Sequence, residues 1–280
     1  EEEEGESRMS LRDLKGKIAK KTIASVAAEA LDAEGHPPAQ RAPHIVLVTL
    51  DDVGMNDFGY QSTDLHGVTP NIDRLAASGV KLANLYGQQL CTPARAALLS
   101  GKFVHRIGFG STAFQPSADA AEITAYSNFS IPLGATLLPQ RLSDAGYSTH
   151  GFGKWNVGHC NSSYLPTARG FDTFVGYFTA GIGYTSHATS PLVTVPGGAN
   201  GTSRVSVDDL VTCSGATVSP ATSDAYAGLD SDAIFASAAT AAIATHGAKL
   251  ARRESAGGAS GPWEPLFVWL AFHGAHDDAG

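Results

Sequence analysis

The chain has 280 residues, 43% of them hydrophobic and 16% charged, the composition of a folded globular protein and not of a disordered one. Its formal net charge of -8 speaks against the basic face by which nucleic-acid binders hold phosphates. No apolar run approaches the ~18 residues needed to span a bilayer.

Residues 1–42 read as an N-terminal extension, helical or flexible. After Glu1-Glu2-Glu3-Glu4, the spacing of Leu11, Leu14, Ile18, Ile23, Val26 and Leu31 suggests amphipathic turns, with Lys15, Lys17, Lys20 and Lys21 on the first of them. Such a segment is either a solvated helix leading into Gly35-His36-Pro37-Pro38 or a membrane-surface element. The sequence opens without Met or a basic-then-apolar signal pattern. It stops at Gly280, soon after an apolar run. Both ends suggest a fragment or processed form, truncated at the C-terminus.

A folded domain is expected from residue 43 to 280. His44 to Leu50 is a continuous aliphatic run, predicting a strand buried on both faces. Thr69-Pro70 opens a helix, with Thr as N-cap and Pro at the first helical position, and Gly79 closes it. Val80 to Tyr86 reads as a second strand. Thr92-Pro93 opens another helix, stopped by Gly101. A third helix runs from Thr136 to Ala145, and Tyr147 to Gly153 returns as a strand. Ser186 to Ser223, rich in Ser, Thr, Gly and Pro, predicts a long loop region with short strands, fit to wall a pocket. Ala225 to Leu250 is helix-prone, and Leu266 to Phe272 is a last buried strand with His273 and His276 beyond it. Strands alternating with helices indicate an α/β domain around a largely parallel central sheet flanked by helices. Ligands in such folds sit beyond the carboxyl ends of the strands.

Three cysteines are too few for a disulfide scaffold. Cys160 and Cys213 are open to pairing in an oxidising compartment, which leaves Cys91 free. Asn128-Phe129-Ser130, Asn161-Ser162-Ser163 and Asn200-Gly201-Thr202 are acceptors for N-glycosylation and lend weak support to a secretory route.

Asp51-Asp52 follows the first strand. Adjacent carboxylates repel, and a hard divalent cation relieves that repulsion by taking oxygens from both. An Asp-Asp turn with a helix N-cap is the other reading. Cys91 stands at the start of a helix, where free N–H groups and the positive dipole end favour an anion and lower a thiol's pKa. Arg95, one turn on, offers a forked anion ligand. A structural cysteine before a well-capped helix fits the same residues.

Cys91-Thr92-Pro93-Ala94-Arg95, continuing to Gly101, resembles the signature of type I sulfatases, the arylsulfatase family of the alkaline phosphatase superfamily. Ile45 to Gly54 is similar to that family's first strand and metal-binding pair, and Thr69 to Ala76 to its next recurrent stretch. Gly146 to Thr149 with Gly153-Lys154-Trp155 resembles the second signature. Arg169 to Phe174 and Leu266 to His276 match later segments in order. The likeness spans about residues 43–277 and is strongest to the arylsulfatase B-like branch.

The resemblance implies an alkaline phosphatase/sulfatase-like fold and a sulfuric ester hydrolase. In that family the cysteine is oxidised to formylglycine by a formylglycine-generating enzyme, and the hydrated aldehyde attacks sulfur with help from bound Ca²⁺. The second hydroxyl then expels sulfate. By position, Asp51, Asp52 and the modified Cys91 are expected to hold the metal. Arg95 is expected to hold the diol, Lys154 to bind sulfate oxygens, and His276 to protonate the leaving oxygen or bind sulfate. His187 falls in a stretch like the substrate-pocket wall, although a plain surface histidine is an equal reading. A glycan or small-molecule sulfate ester is the expected substrate, and a lysosomal or extracellular location the expected compartment.

Two departures stand out. Asn156 occupies the place where the family most often has the histidine proposed as base for sulfate elimination, and asparagine cannot take up that proton near neutral pH. His159 is the nearest substitute. The family's further metal ligands and a second lysine come from sequence beyond the region matched. Two alternatives therefore stay open: a formylglycine-type phosphonate or phosphate ester hydrolase, and a catalytically impaired pseudo-sulfatase serving as a binding module.

Overall fold

The computed structural model describes residues 42–109, 123–189, 192–194, 202–221, 226–255 and 263–276. The expected N-terminal extension, but for Ala42, and the acceptor Asn200 lie outside these residues. The domain is mixed α/β. Its strands are β1 (Ile45–Thr49), β2 (Ser148–Lys154), β3 (Thr173–Tyr177), β4 (Ala188–Thr189), β5 (Leu192–Thr194), β6 (Thr202–Arg204), β7 (Val207–Asp208), β8 (Val211–Ser214), β9 (Thr217–Pro220) and β10 (Leu266–Ala271). The helices of a turn or more beyond 3-10 length are α1 (Pro70–Ser78), α2 (Cys91–Ser100), α3 (Leu138–Asp144) and α4 (Ser231–Ser255).

The main sheet runs β1-β10-β2-β3-β8-β9. Its first four strands are parallel and the last two pairings antiparallel. Two small antiparallel pairs, β4 with β7 and β5 with β6, form within the stretch expected to be loop with short strands.

Strand β10 explains why the sheet is covered on both faces. Its alternate residues point opposite ways. Phe267, Trp269 and Ala271 join one core cluster with Ala96 and Leu99 of α2, Trp155, Phe171 and Phe174. Leu266 and Val268 join a second with Phe152, Tyr177 and Ile234, Phe235 and Ala239 of α4. A strand buried on both faces thus lacks polar alternation, as its sequence indicated.

Four expectations need correction. Strand β1 is not buried on both faces: Val46 is 52% and Val48 49% exposed, because β1 is the sheet edge and α4 lies over β10, β2 and β3. Residues 80–86 form no strand. Val80, Leu82, Leu85 and Tyr86 are all exposed, and β-propensity without a partner and a buried face does not make a ladder. Thr69 does precede α1, but its Oγ1 accepts from Gly59 N and donates to Asp73 instead of capping the helix. The helix expected from residue 225 starts at Ser231, where the Asp230 carboxylate accepts from Ala233 N in the manner of an N-cap.

Candidate active site

Parallel strands deliver their carboxyl ends to one edge of the sheet. Asp51 and Asp52 follow β1, Lys154 ends β2, and the turn His273–His276 follows β10. Helix α2 brings Cys91 and Arg95 to the same place. Gly153 is required beside Lys154: it has φ +90, and a Cβ there would overlap the carbonyl oxygen of Ala271 in β10.

Asp51 is the hub. Lys154 Nζ lies 2.6 Å from its Oδ2 and Arg95 Nη2 3.1 Å from its Oδ1, all three side chains being buried. Arg95 Nη1 also donates to the Lys154 carbonyl at 2.9 Å, and its guanidinium sits 6.0 Å from the centre of the Trp269 ring. Burial alone would raise the pKa of Asp51, but the charges and hydrogen bonds of Arg95 and Lys154 outweigh it and hold the carboxyl below its usual value. Cys91 Sγ reaches the same carboxylate, 3.6 Å from Oδ1.

The acidified thiol expected from the helix N-terminus is not what the structure gives. Burial pushes the Cys91 thiol up, with the Asp51 charge adding to it, and Lys154 and Arg95 do not offset them. A thiol raised in this way stays protonated at neutral pH, so unmodified Cys91 is a poor nucleophile.

Asp51, Cys91 and His276 each place a donor atom within 4.8 Å of the others. Asp52 Oδ2 faces His276 Nε2 at 3.7 Å. Asp52 has φ 53, a left-handed conformation uncommon for a side chain-bearing residue and met at functional turns. Among the described residues Asp51, Cys91 and His276 form a group that could hold a metal ion, and Asp52 meets it through His276.

Asn156 is not poised over Cys91. It is fully buried with φ 51; its Oδ1 accepts from Thr92 Oγ1 at 2.8 Å and its Nδ2 donates to Ile123 O at 2.9 Å. Ile123 N donates to Thr92 Oγ1, closing a ring that pins the first turn of α2. His159, the nearest substitute, stacks on Phe178 and sits 3.2 Å from the Ala125 carbonyl through Nε2. His187 is no surface histidine: it is buried with φ 56, and its Nε2 lies 2.9 Å from Leu229 O. The Cys160–Cys213 pairing is absent. Both are free, Cys213 buried in β8 and Cys160 exposed beside Asn128 and Ser130.

Residues that the sequence did not single out surround His276. Tyr184 stacks on His273 with ring centres 4.4 Å apart, and its hydroxyl donates to the His276 carbonyl at 2.8 Å. Asp232 accepts from the backbone of His273 and Gly274. Tyr177 packs its edge against His273. In sequence Asp230-Ser231-Asp232 reads only as a helix start, and nothing local ties it to a turn some forty residues on.

The sulfatase family profile matches residues 43–278. Arylsulfatase J of Mus musculus is 38% identical over 145 residues, 52% of this chain and 22% of its own length. N-acetylgalactosamine-6-sulfatase of Homo sapiens is 37% identical over 147 residues, 51% of this chain and 27% of its own length. The matched stretch therefore spans about a quarter of each of these relatives. Among solved structures, Ps i-CgsB in complex with k-i-k-neocarrahexaose superposes with TM-score 0.58 at 25% identity, covering 84% of this chain and 46% of that one. The PsFucS1 sulfatase from Pseudoalteromonas sp. has TM-score 0.53 at 20% identity, covering 96% and 49%, and supports the fold alone.

Proposed function

This chain belongs to the sulfatase family, and from that premise we propose that it serves the hydrolysis of organic sulfate esters at Cys91, with formylglycine formed from Cys91 and a Ca²⁺ ion at Asp51 and Asp52. The observation that carries this is the gathering of Cys91, Arg95, Lys154, Asp51 and His276 on one sheet edge, around a buried carboxylate.

The oxidised side chain would supply the hydroxyl nucleophile, and the cation, held by Asp51 and Asp52 beside residue 91, would supply Lewis-acid polarisation. The rest falls to the chain's own groups. Arg95 is braced by the Lys154 carbonyl and Asp51, so its fork is fixed before substrate arrives and can hold the hydrated side chain. Lys154 presents a buried ammonium to anionic sulfate oxygens. His276, within reach of residue 91, delivers a proton to the leaving oxygen as it departs from sulfur, or binds sulfate. Local cations thereby overcome the overall charge of -8.

Asn156 cannot serve as the base for sulfate elimination, being committed to Thr92 and Ile123. Slow turnover and an accumulated sulfate adduct on residue 91 are therefore expected. Glycan or small aryl sulfate esters are the substrate classes, the former drawing on the names of N-acetylgalactosamine-6-sulfatase and the carrahexaose complex. His187 belongs to the substrate-pocket wall in this reading, its Nε2 lying 2.9 Å from Leu229 O. Residues 43–280 form the catalytic domain, and 1–42 an extension. A formylglycine-generating enzyme is the maturation partner, and the secretory pathway the location, on the strength of the acceptors Asn128, Asn161 and Asn200. Among the described residues no helix is long and apolar enough to cross a membrane.

Mass spectrometry of the Cys91 peptide, from a host able to make formylglycine, tests the modification. The aldehyde in place of the thiol is expected, and unmodified cysteine would remove the nucleophile. Comparing sulfate with phosphate and phosphonate esters then tests the reaction, with sulfate expected to be preferred.

A further inference from the structure

We propose that Asp232 and Tyr184 are positioning residues that hold His276 at the reacting centre, an inference that rests on the sulfatase reading of that histidine. The turn carrying His276 has no regular secondary structure of its own, yet its backbone is fixed at several points. Asp232, in the first turn of α4, uses both carboxylate oxygens: Oδ1 accepts from His273 N at 2.7 Å and Oδ2 from Gly274 N at 2.8 Å. Tyr184 Oη donates to His276 O at 2.8 Å, while its ring covers the His273 ring. The two braces are joined, because Ser231 N donates to Tyr184 O at 2.8 Å. On the opposite side Ala275 N donates to Asp51 O, and His276 N closes onto His273 O.

The consequence is a rigid path from the α4 N-terminus to the imidazole. A charged acceptor shared by two adjacent N–H groups is stronger than a neutral one, and it fixes both the direction of the chain and its distance from Asp51. Gly274 is fitted to this carboxylate: a Cβ on it would lie 2.8 Å from Asp232 Oδ2. His276 then faces Asp52 at 3.7 Å and falls within 4.8 Å of the Asp51 and Cys91 donor atoms. Neither Asp232 nor Tyr184 is placed to exchange a proton with substrate. Their part is to keep the histidine where its proton meets the leaving oxygen, and positional errors of about 1 Å in such groups cost about 10²-fold in rate.

The test uses the mature protein with two esters, a nitrophenyl sulfate whose leaving group needs no proton and an alkyl or sugar sulfate whose leaving group does. Tyr184→Phe keeps the ring and loses one hydroxyl; Asp232→Asn keeps the shape and sets an amide N–H against a backbone N–H. Expected is a fall in kcat/KM, which reads the step that expels the alcohol, of about 10-fold for Tyr184→Phe and about 10–100-fold for Asp232→Asn on the poor leaving group. On the nitrophenyl ester the change in kcat/KM should be small, and kcat, set by release of sulfate from residue 91, should stay within about twofold while elimination remains the slow step. His276→Ala should show the same selectivity, more strongly. If His276→Ala is selective while both variants match wild type, or lose rate equally on both esters, the positioning role is overturned and the sulfatase reading stands. If wild type releases no sulfate from either ester, that reading fails and takes the inference with it. Should Asp232→Asn not fold, Tyr184→Phe alone decides.

Discussion

Strands β1 and β10 lie side by side in register, Val46 against Val268 and Val48 against Leu270, and are composed almost alike. Val268 is fully buried beneath α4, and Val46 is half exposed. The same contrast extends outward. Residues 43–90 are largely exposed although rich in aliphatic side chains, whereas α2, β2 and β10 are mostly buried. Hydrophobic sequence thus states a capacity for burial; what is buried depends on which layer lies opposite. The site sits on the seam between these regions, with Asp51 at the end of the edge strand and its cations on the buried elements.

Three substitutions and a titration sharpen that contrast. The largest effect is expected from Lys154→Met, which removes one partner of a fully buried ion pair. A loss of about 3 kcal/mol in urea unfolding is expected, with turnover reduced about 10²–10³-fold; an unchanged midpoint would show that Asp51 does not depend on Lys154. Next comes the paired test across the register. Val268→Ala should cost about 2 kcal/mol, and Val46→Ala less than about 0.5 kcal/mol. Equal costs would mean that the two faces are not as different as they look.

The smallest effect is in acid. Arg95 and Lys154 hold the Asp51 carboxyl below its value in the unfolded chain. Its contribution is therefore complete above the unfolded pKa and is lost as pH falls through the folded one. The stability gap between wild type and Asp51→Asn should be constant above about pH 5 and narrow below about pH 4. A gap that widens in acid would contradict the ion-pair geometry.

What was legible in sequence is uneven, for physical reasons. Helix and strand order in the buried region follows from local rules: Gly101 at φ 63 ends α2, and aliphatic runs mark β10. That Asp51, Asp52 and Lys154 come to one edge was legible because a parallel sheet fixes where strand ends meet, whereas Cys91 and Arg95 stood out through the helix start and the resemblance to a family signature. The fate of residues 80–86, the one-sided burial of β1 and the commitment of Asn156 to Thr92 were not. Each depends on a partner distant in the chain. Asp232 and Tyr184 were hidden for the same reason, since a carboxylate binding two backbone N–H groups of another segment leaves no periodic trace. The raised pKa of Cys91 likewise arises from burial that a helix N-terminus does not disclose.

The most direct measurement is sulfate release from an aryl sulfate by the mature protein and by its Cys91→Ala variant, assayed together with a fold control such as thermal unfolding. Measurable release by the parent and none by the variant is expected, with the fold intact. Equal release by both would show that Cys91 does not carry the chemistry.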